Sequence, residues 1–287
     1  MVRVALAAAA ALFIAAAAGA ASSPVHNGLI VFTTKKAPAR GGGETGTAAM
    51  ATVRPDGRDL QVLDRDGVHD LTPAWSPDGQ EVAYGRARVA CTQCGFAIAV
   101  LDVRSREHEE LTPLGQVANP SWAPDGTTIA FDTADGGVPA YRIMTVHRDG
   151  SNLRLLGQGV HPSWSPDGAK IVFFRYPNGL YIMDADGTHA RALGIRGANP
   201  TWSPDGKSIA YESGDSLWLT RPDGTGVGRI SHTQLGLDPA WSPDGNWIVF
   251  DRGTHLWVVH PNGSEPRRVT SGARVDRAPS WQPVGGS

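Results

Sequence analysis

The chain has 287 residues and a formal net charge of −2, with its Lys and Arg residues scattered. That distribution leaves no basic stripe of the kind nucleic acids require. After the N-terminal segment there is no second long apolar run and no amphipathic helical stretch, which excludes a bundle of membrane-spanning helices.

Residues Met1-Val2-Arg3 followed by an Ala/Leu/Phe/Ile run to Ala18 read as a secretory signal peptide, with Arg3 as the positive start. Ala18-Gly19-Ala20 fits the small-residue cleavage rule. The division expected is residues 1–20 as signal and 21–287 as one domain, exported to the periplasm or secreted. No cysteine follows the cleavage site, which argues against lipid attachment.

The first expected strand is Leu29-Ile30-Val31-Phe32-Thr33, and a Gly-rich loop around 40–47 leads to a second, Ala49–Val53. Arg54-Pro55-Asp56-Gly57 turns into an outer strand near Leu60–Leu63, proline presetting φ and glycine accepting positive φ. A recurring phrase then begins. It reads Pro-Ala-Trp75-Ser-Pro-Asp-Gly, with copies at Trp122, Trp164, Trp202 and Trp241 and an altered one, Pro-Ser-Trp281-Gln-Pro, near the end. The tryptophans are 47, 42, 38, 39 and 40 residues apart. A repeat of that length built from β-type residues is the mark of a β-propeller with one repeat per blade.

The unit at Trp202 shows how a blade is written. An inner strand at Thr201-Trp202-Ser203 runs through Pro204-Asp205-Gly206 into Ser208–Tyr211; Ser216–Thr220 follows, then Arg221-Pro222-Asp223-Gly224 and an outer strand at Gly228–Ser231. Leu180–Met183 and His255–Val259 are third strands of the same kind, with hairpin turns at Asp186-Gly187 and Asn262-Gly263. One four-stranded sheet cannot bury both faces, so the blades must stack about an axis, with the repeated tryptophan between them. The last repeat has only its inner strand, and the N-terminal residues supply the missing three. The expected fold is therefore all-β: a six-bladed propeller of four-stranded antiparallel blades, closed by the N-terminal strands completing the last blade.

The only cysteines, Cys91 and Cys94, form a Cys-x-x-Cys pair that fits a redox couple, half a zinc site or a local disulfide. The pair lies in a loop between strands rather than at a helix start, and no second ligand pair accompanies it. In an oxidising compartment a disulfide closing the hairpin is expected. No nucleophile elbow, phosphate-binding glycine loop or metalloprotease motif is present. Asp184-Ala-Asp186-Gly187 lacks the further ligands of a calcium loop and reads as a turn. Most of the histidines, His69 among them, read as surface residues.

The positions three residues before each tryptophan are more informative: Thr72, Asn119, His161, Asn199, Asp238 and Ala278. Equivalent positions of six blades converge on the axis, so these residues should ring one mouth of the channel, with Asp276 and Arg277 nearby. They read as a polar pocket or a docking rim. One His, one Asp and two Asn make a poor metal-ligand set.

The repeats resemble those of the TolB family, whose mark is Pro-x-Trp-Ser-Pro-Asp-Gly followed by an Ile-Ala-Tyr/Phe strand. The phrase is intact at Trp75, Trp164, Trp202 and Trp241, altered at Ala123 and broken at Gln282. The resemblance implies a soluble periplasmic propeller that docks an outer-membrane lipoprotein at its channel mouth, here at Thr72, Asn119, His161, Asn199 and Asp238. TolB has a separate N-terminal α/β domain, whereas this chain passes from the expected signal peptide straight to the first strand. The resulting expectation is a monomeric, non-enzymatic exported propeller that binds an envelope or extracellular protein, or another envelope component, through the channel rim, including Arg277. No cofactor, metal or nucleic acid is expected. The competing expectation is a channel-centred lyase or hydrolase acting on a carbohydrate or lactone, with His161 as base and Asp238 as orienting carboxylate or metal ligand.

Overall fold

The strands follow from the turns that bound them. In Ser76-Pro77-Asp78-Gly79, Ser76 Oγ donates to Asp78 Oδ1 at 2.6 Å and accepts from the Glu81 backbone N–H at 2.9 Å, while Gly79 N–H closes the turn on Ser76 O at 2.9 Å. The same pattern recurs at Ser165, Ser203 and Ser242. At Ala123 the hydroxyl is missing, and Thr127 Oγ1 donates to Asp125 Oδ1 at 2.9 Å instead. The turn thus fixes the register of the two strands on either side through its own side chains and backbone.

The structure, a computed structural model, describes residues 27–36, 47–64, 68–87, 95–134, 141–177, 179–230 and 236–283. It is a ring of six four-stranded antiparallel sheets. Blade 1 runs from Asp70–Trp75 to His108–Glu110, blade 2 from Val117–Trp122 to Arg154–Gln158, and blade 3 from Val160–Trp164 to Arg191–Ala192. Blade 4 runs from Ala198–Trp202 to Gly228–Arg229 and blade 5 from Gly236–Trp241 to Arg267–Arg268. Blade 6 joins the C-terminal inner strand Arg274–Trp281 to the N-terminal strands Ile30–Lys36, Ala49–Val53 and Gln61–Val62, with Ile30 opposite Trp281. Blade number, strand order and closure are as the repeats imply. Cys91, Cys94 and the expected signal peptide lie outside the described residues.

Each repeated tryptophan packs on the blade before it. Trp75 meets Val31 and Met50 of blade 6, Trp122 meets Ile98 and Val100 of blade 1, Trp202 meets Val172 and Leu180 of blade 3, and Trp281 meets Val249 and Leu256 of blade 5. The residue before the tryptophan adds a second link along the channel. The backbone N–H of Trp75 donates to Ser280 Oγ of blade 6, and those of Trp164 and Trp202 to Ser121 and Ser163 of the preceding blades, at 3.3–3.4 Å.

The altered last copy is a latch. Gln282 stands where four of the other repeats have the turn serine. Its Oε1 accepts from Leu29 N–H at 3.1 Å and its Nε2 donates to Gly79 O at 2.9 Å, so one side chain ties the N-terminal segment and blade 1 to the C-terminus. Asn27 Nδ2 adds a bond to Asp244 Oδ2 of blade 5 at 3.1 Å. Gln282→Ala should cost about 1–3 kcal/mol in urea unfolding, since it leaves two backbone groups without their partner. A serine there, which restores the repeated phrase, is too short to reach either group and should not recover the loss.

Candidate functional site

The six positions singled out in the sequence share a backbone state. Thr72, Asn119, His161, Asn199, Asp238 and Ala278 all have φ between +48° and +52°. Each sits in a register break between the inner and second strands, and each is followed by proline. Left-handed backbone is uncommon for residues other than glycine, and for a β-branched residue such as Thr72 it is strained. The bulge turns every inner strand toward the axis and fixes the side chains of the ring with little freedom.

Hydrogen bonds from the preceding blade hold this state. Thr72 N–H donates to Thr33 Oγ1 at 3.2 Å, Asn119 N–H to Thr72 Oγ1 at 3.0 Å, and His161 N–H to Asp132 Oδ2 at 2.7 Å. Asp132, Glu212 and Asp251 each follow the buried aromatic of a second strand, Phe131, Tyr211 or Phe250. They form a tier of carboxylates behind the ring that the sequence reading passed over. Burial pushes Asp132 up to about 6. Burial and the carboxylates of Asp238 and Asp251 push Glu212 up to about 8; burial and Asp238 push Asp251 up to about 7, against the opposing pull of Arg277. Asp238 is likewise raised by burial.

The ring lies in the channel. All six positions line a cavity of about 370 Å³ that opens on the face carrying the Trp-Ser-Pro-Asp-Gly turns. Asn119, His161 and Asn199 also line a second cavity, of about 770 Å³, on the opposite face, where the strand-to-strand loops lie. These three residues therefore form a neck between the two spaces. Arg277 lines neither cavity. It pairs with Asp251 at 3.1 Å and donates to Gly253 O, tying blade 6 to blade 5. Asp276 is buried and accepts from Thr34 Oγ1 at 2.7 Å.

Within the ring, Asn199 Nδ2 donates to Asp238 Oδ1 at 2.6 Å and Asn119 Nδ2 to Asp132 Oδ2 at 2.8 Å. The carboxylate beside His161 is thus Asp132, and it holds the backbone rather than the imidazole. Burial lowers the His161 pKa to about 4, so the ring is neutral at ordinary pH, with one donor and one acceptor nitrogen. Among the described residues no group of three His, Cys, Asp or Glu side chains is placed to hold a metal ion. His69 is buried rather than on the surface, its Nδ1 accepting from Ala48 N–H at 3.2 Å.

A family model described as the TolB β-propeller domain matches residues 25–285. The chain belongs to that family. Among solved structures, TolB from Acinetobacter baumannii is similar to this TolB-family propeller at 21% identity, with a TM-score of 0.74 over 89% of this chain and 66% of that one. The chain thus spans just under two thirds of that TolB. A chain of the nidogen/laminin complex is similar at 11% identity, TM-score 0.71, over 89% of this chain and 98% of its own. Oligogalacturonate lyase in complex with manganese is similar at 15% identity, TM-score 0.55, over 78% of this chain and 71% of its own. At these identities the likeness is one of fold. None of the curated proteins matches the chain. Among the described residues no helix is long and apolar enough to cross a membrane.

Proposed function

We propose that the TolB-family propeller is an exported, non-enzymatic binding module that docks an envelope or extracellular protein, such as a lipoprotein, on the channel ring formed by Thr72, Asn119, His161, Asn199 and Asp238. His161 carries the reading. Among the described residues its ring nitrogens make no hydrogen bond, yet its backbone is held at φ +52° by a bond to Asp132. A polar group fixed in place and left with spare bonding capacity at a channel neck supports docking at small ordering cost. Family membership supports a binding propeller, and the Arg3-to-Ala20 segment supports export.

The test is crosslinking of the tagged mature protein in its native envelope beside a His161→Ala/Asp238→Ala variant, with captured proteins identified by mass spectrometry. Alanine is compatible with the backbone at both positions, because Ala278 holds the equivalent place at φ +48°. A partner captured by the wild type and lost in a variant of unchanged melting temperature is the expected result. Equal capture by both forms would sink the assignment to this ring.

A further inference from the structure

The cavity on the loop face has a composition that protein docking at the ring does not account for. It is asymmetric, cut into blades 1 to 4. One cause is the tight connection between blades 2 and 3: only Gly159 separates the outer strand Arg154–Gln158 from the inner strand Val160–Trp164. Gly159 has φ +154°, and a Cβ there would sit 2.4 Å from the Phe173 ring, so no larger residue fits and this connection itself raises no loop over the face.

Two tyrosines flank the opening. Tyr176 is 69% exposed and Tyr141 45%, whereas Tyr84, Phe131, Phe173, Tyr211 and Phe250 of the second strands are buried. Phe174 backs Tyr176 edge-on, with ring centroids 6.5 Å apart. Tyr181 is covered by the Arg175 guanidinium 5.0 Å above its centroid. Deeper in, Asn119, His161 and Asn199 form the floor, and Gln116 and Gln158 stand at the sides. The amides of Gln116 and Gln158 and the imidazole of His161 make no hydrogen bond among the described residues.

The charges of the cavity are already engaged. Asp132 accepts from Asn119 Nδ2 and His161 N–H, and Arg175 stacks on Tyr181 and donates from Nε to Gln158 O at 3.3 Å. What remains for a ligand is flat aromatic surface beside neutral groups that both donate and accept. A ring with C–H bonds on its faces and hydroxyls on its rim matches that pattern: C–H faces meet aromatic faces, and vicinal hydroxyls meet amides and a neutral imidazole. At about 770 Å³ the cavity is also in the size range of small-molecule sites. We propose that this cavity binds a neutral oligosaccharide, stacked on Tyr141 and Tyr176 and hydrogen-bonded by Gln116, Gln158 and His161. The site shares Asn119, His161 and Asn199 with the ring, but its tyrosines lie outside the ring and it does not depend on the ring being a protein dock.

The experiment is calorimetric titration of the purified mature protein with cellotetraose, maltotetraose and chitotetraose, repeated with Tyr141→Ala, Tyr176→Ala and the double variant. Binding of at least one tetrasaccharide is expected, weakened about three- to tenfold by each single substitution. Both tyrosines are exposed, so the variants should melt with the wild type and still capture any protein partner. The proposal is overturned if none of the three sugars binds at millimolar concentration, or if binding survives in the double variant. Loss of protein capture in the tyrosine variants would instead place the protein partner in this cavity, and would overturn it equally.

Discussion

Trp281→Ala should lower stability by about 3–5 kcal/mol, as for other large aromatics removed from a packed core. In a chain of this size that corresponds to a fall in melting temperature of roughly 10 °C. The indole fills the space between blades 5 and 6, against Ile30, Phe32, Val249, Leu256 and Val258, and all of these are fully buried. It is also the last residue of the strand that pairs with the N-terminal strand Ile30–Lys36, so its loss loosens the seam at which the ring is closed only by non-covalent contacts. Trp164→Ala is the internal comparison. Trp164 holds the same place between blades 2 and 3 but is only half-buried, and its seam is joined by continuous chain. Its removal should cost less. Equal losses, read by circular dichroism during thermal and urea unfolding, would mean that closure adds nothing to the inter-blade contact.

The second large effect concerns pH. Glu212 is pushed up to about 8 by burial and by the neighbouring carboxylates, so the folded protein keeps its proton where the unfolded chain, with its ordinary value of 4.5, has lost it. A carboxyl raised in the folded state contributes stability that is complete below pH 4.5 and is lost as pH climbs through about 8. Asp251, pushed up to about 7, and Asp132, pushed up to about 6, act in the same direction at lower pH. Wild-type melting temperature should therefore fall between pH 5 and pH 8, within the window set by these shifts. Glu212→Gln keeps an oxygen to accept the Asp238 backbone bond and removes the charge. At pH 8 the variant should be more stable by about 1–3 kcal/mol, a figure reduced for partial solvent screening. At pH 4 the two proteins should melt together. A variant that is less stable at pH 8 would show that the Glu212 carboxylate is needed in its charged form.

The architecture was legible because one phrase carries both local and global information. Ser-Pro-Asp-Gly fixes a turn through its own side chains, and the tryptophan before it needs a neighbouring blade to pack on. Period and partner could therefore be read together, as could the completion of blade 6 by Ile30–Lys36 and Ala49–Val53. The ring positions were also found, since symmetry alone brings equivalent residues to the axis. Their left-handed backbone was missed, although Asn119, Asn199, Asp238 and His161 are residue types that tolerate it. The carboxylate tier was visible as an acidic residue after an aromatic in Phe131-Asp132, Tyr211-Glu212 and Phe250-Asp251, but it gained meaning only from its contacts across blades. Gln282 read as a damaged repeat because its partners, Leu29 and Gly79, are more than 200 residues away in the chain. The cavity flanked by Tyr141 and Tyr176 was not legible at all. It depends on which connections leave a face uncovered, and residue patterns within single strands carry no trace of that.

The pairing of Ile30 with Trp281 also sets a direction for anything joined to the molecule. One strand starts and the other stops on the face of the Trp-Ser-Pro-Asp-Gly turns, so Asn27 and Pro283, the first and last described residues, both lie at that side. A tag, a surface linkage or a fused protein joined next to Asn27 or Pro283 would attach at that side and leave the opposite face turned toward solution. Immobilised through either end, the propeller should present its larger cavity outward and obstruct the smaller one, and the two openings can be compared simply by choosing where the molecule is held.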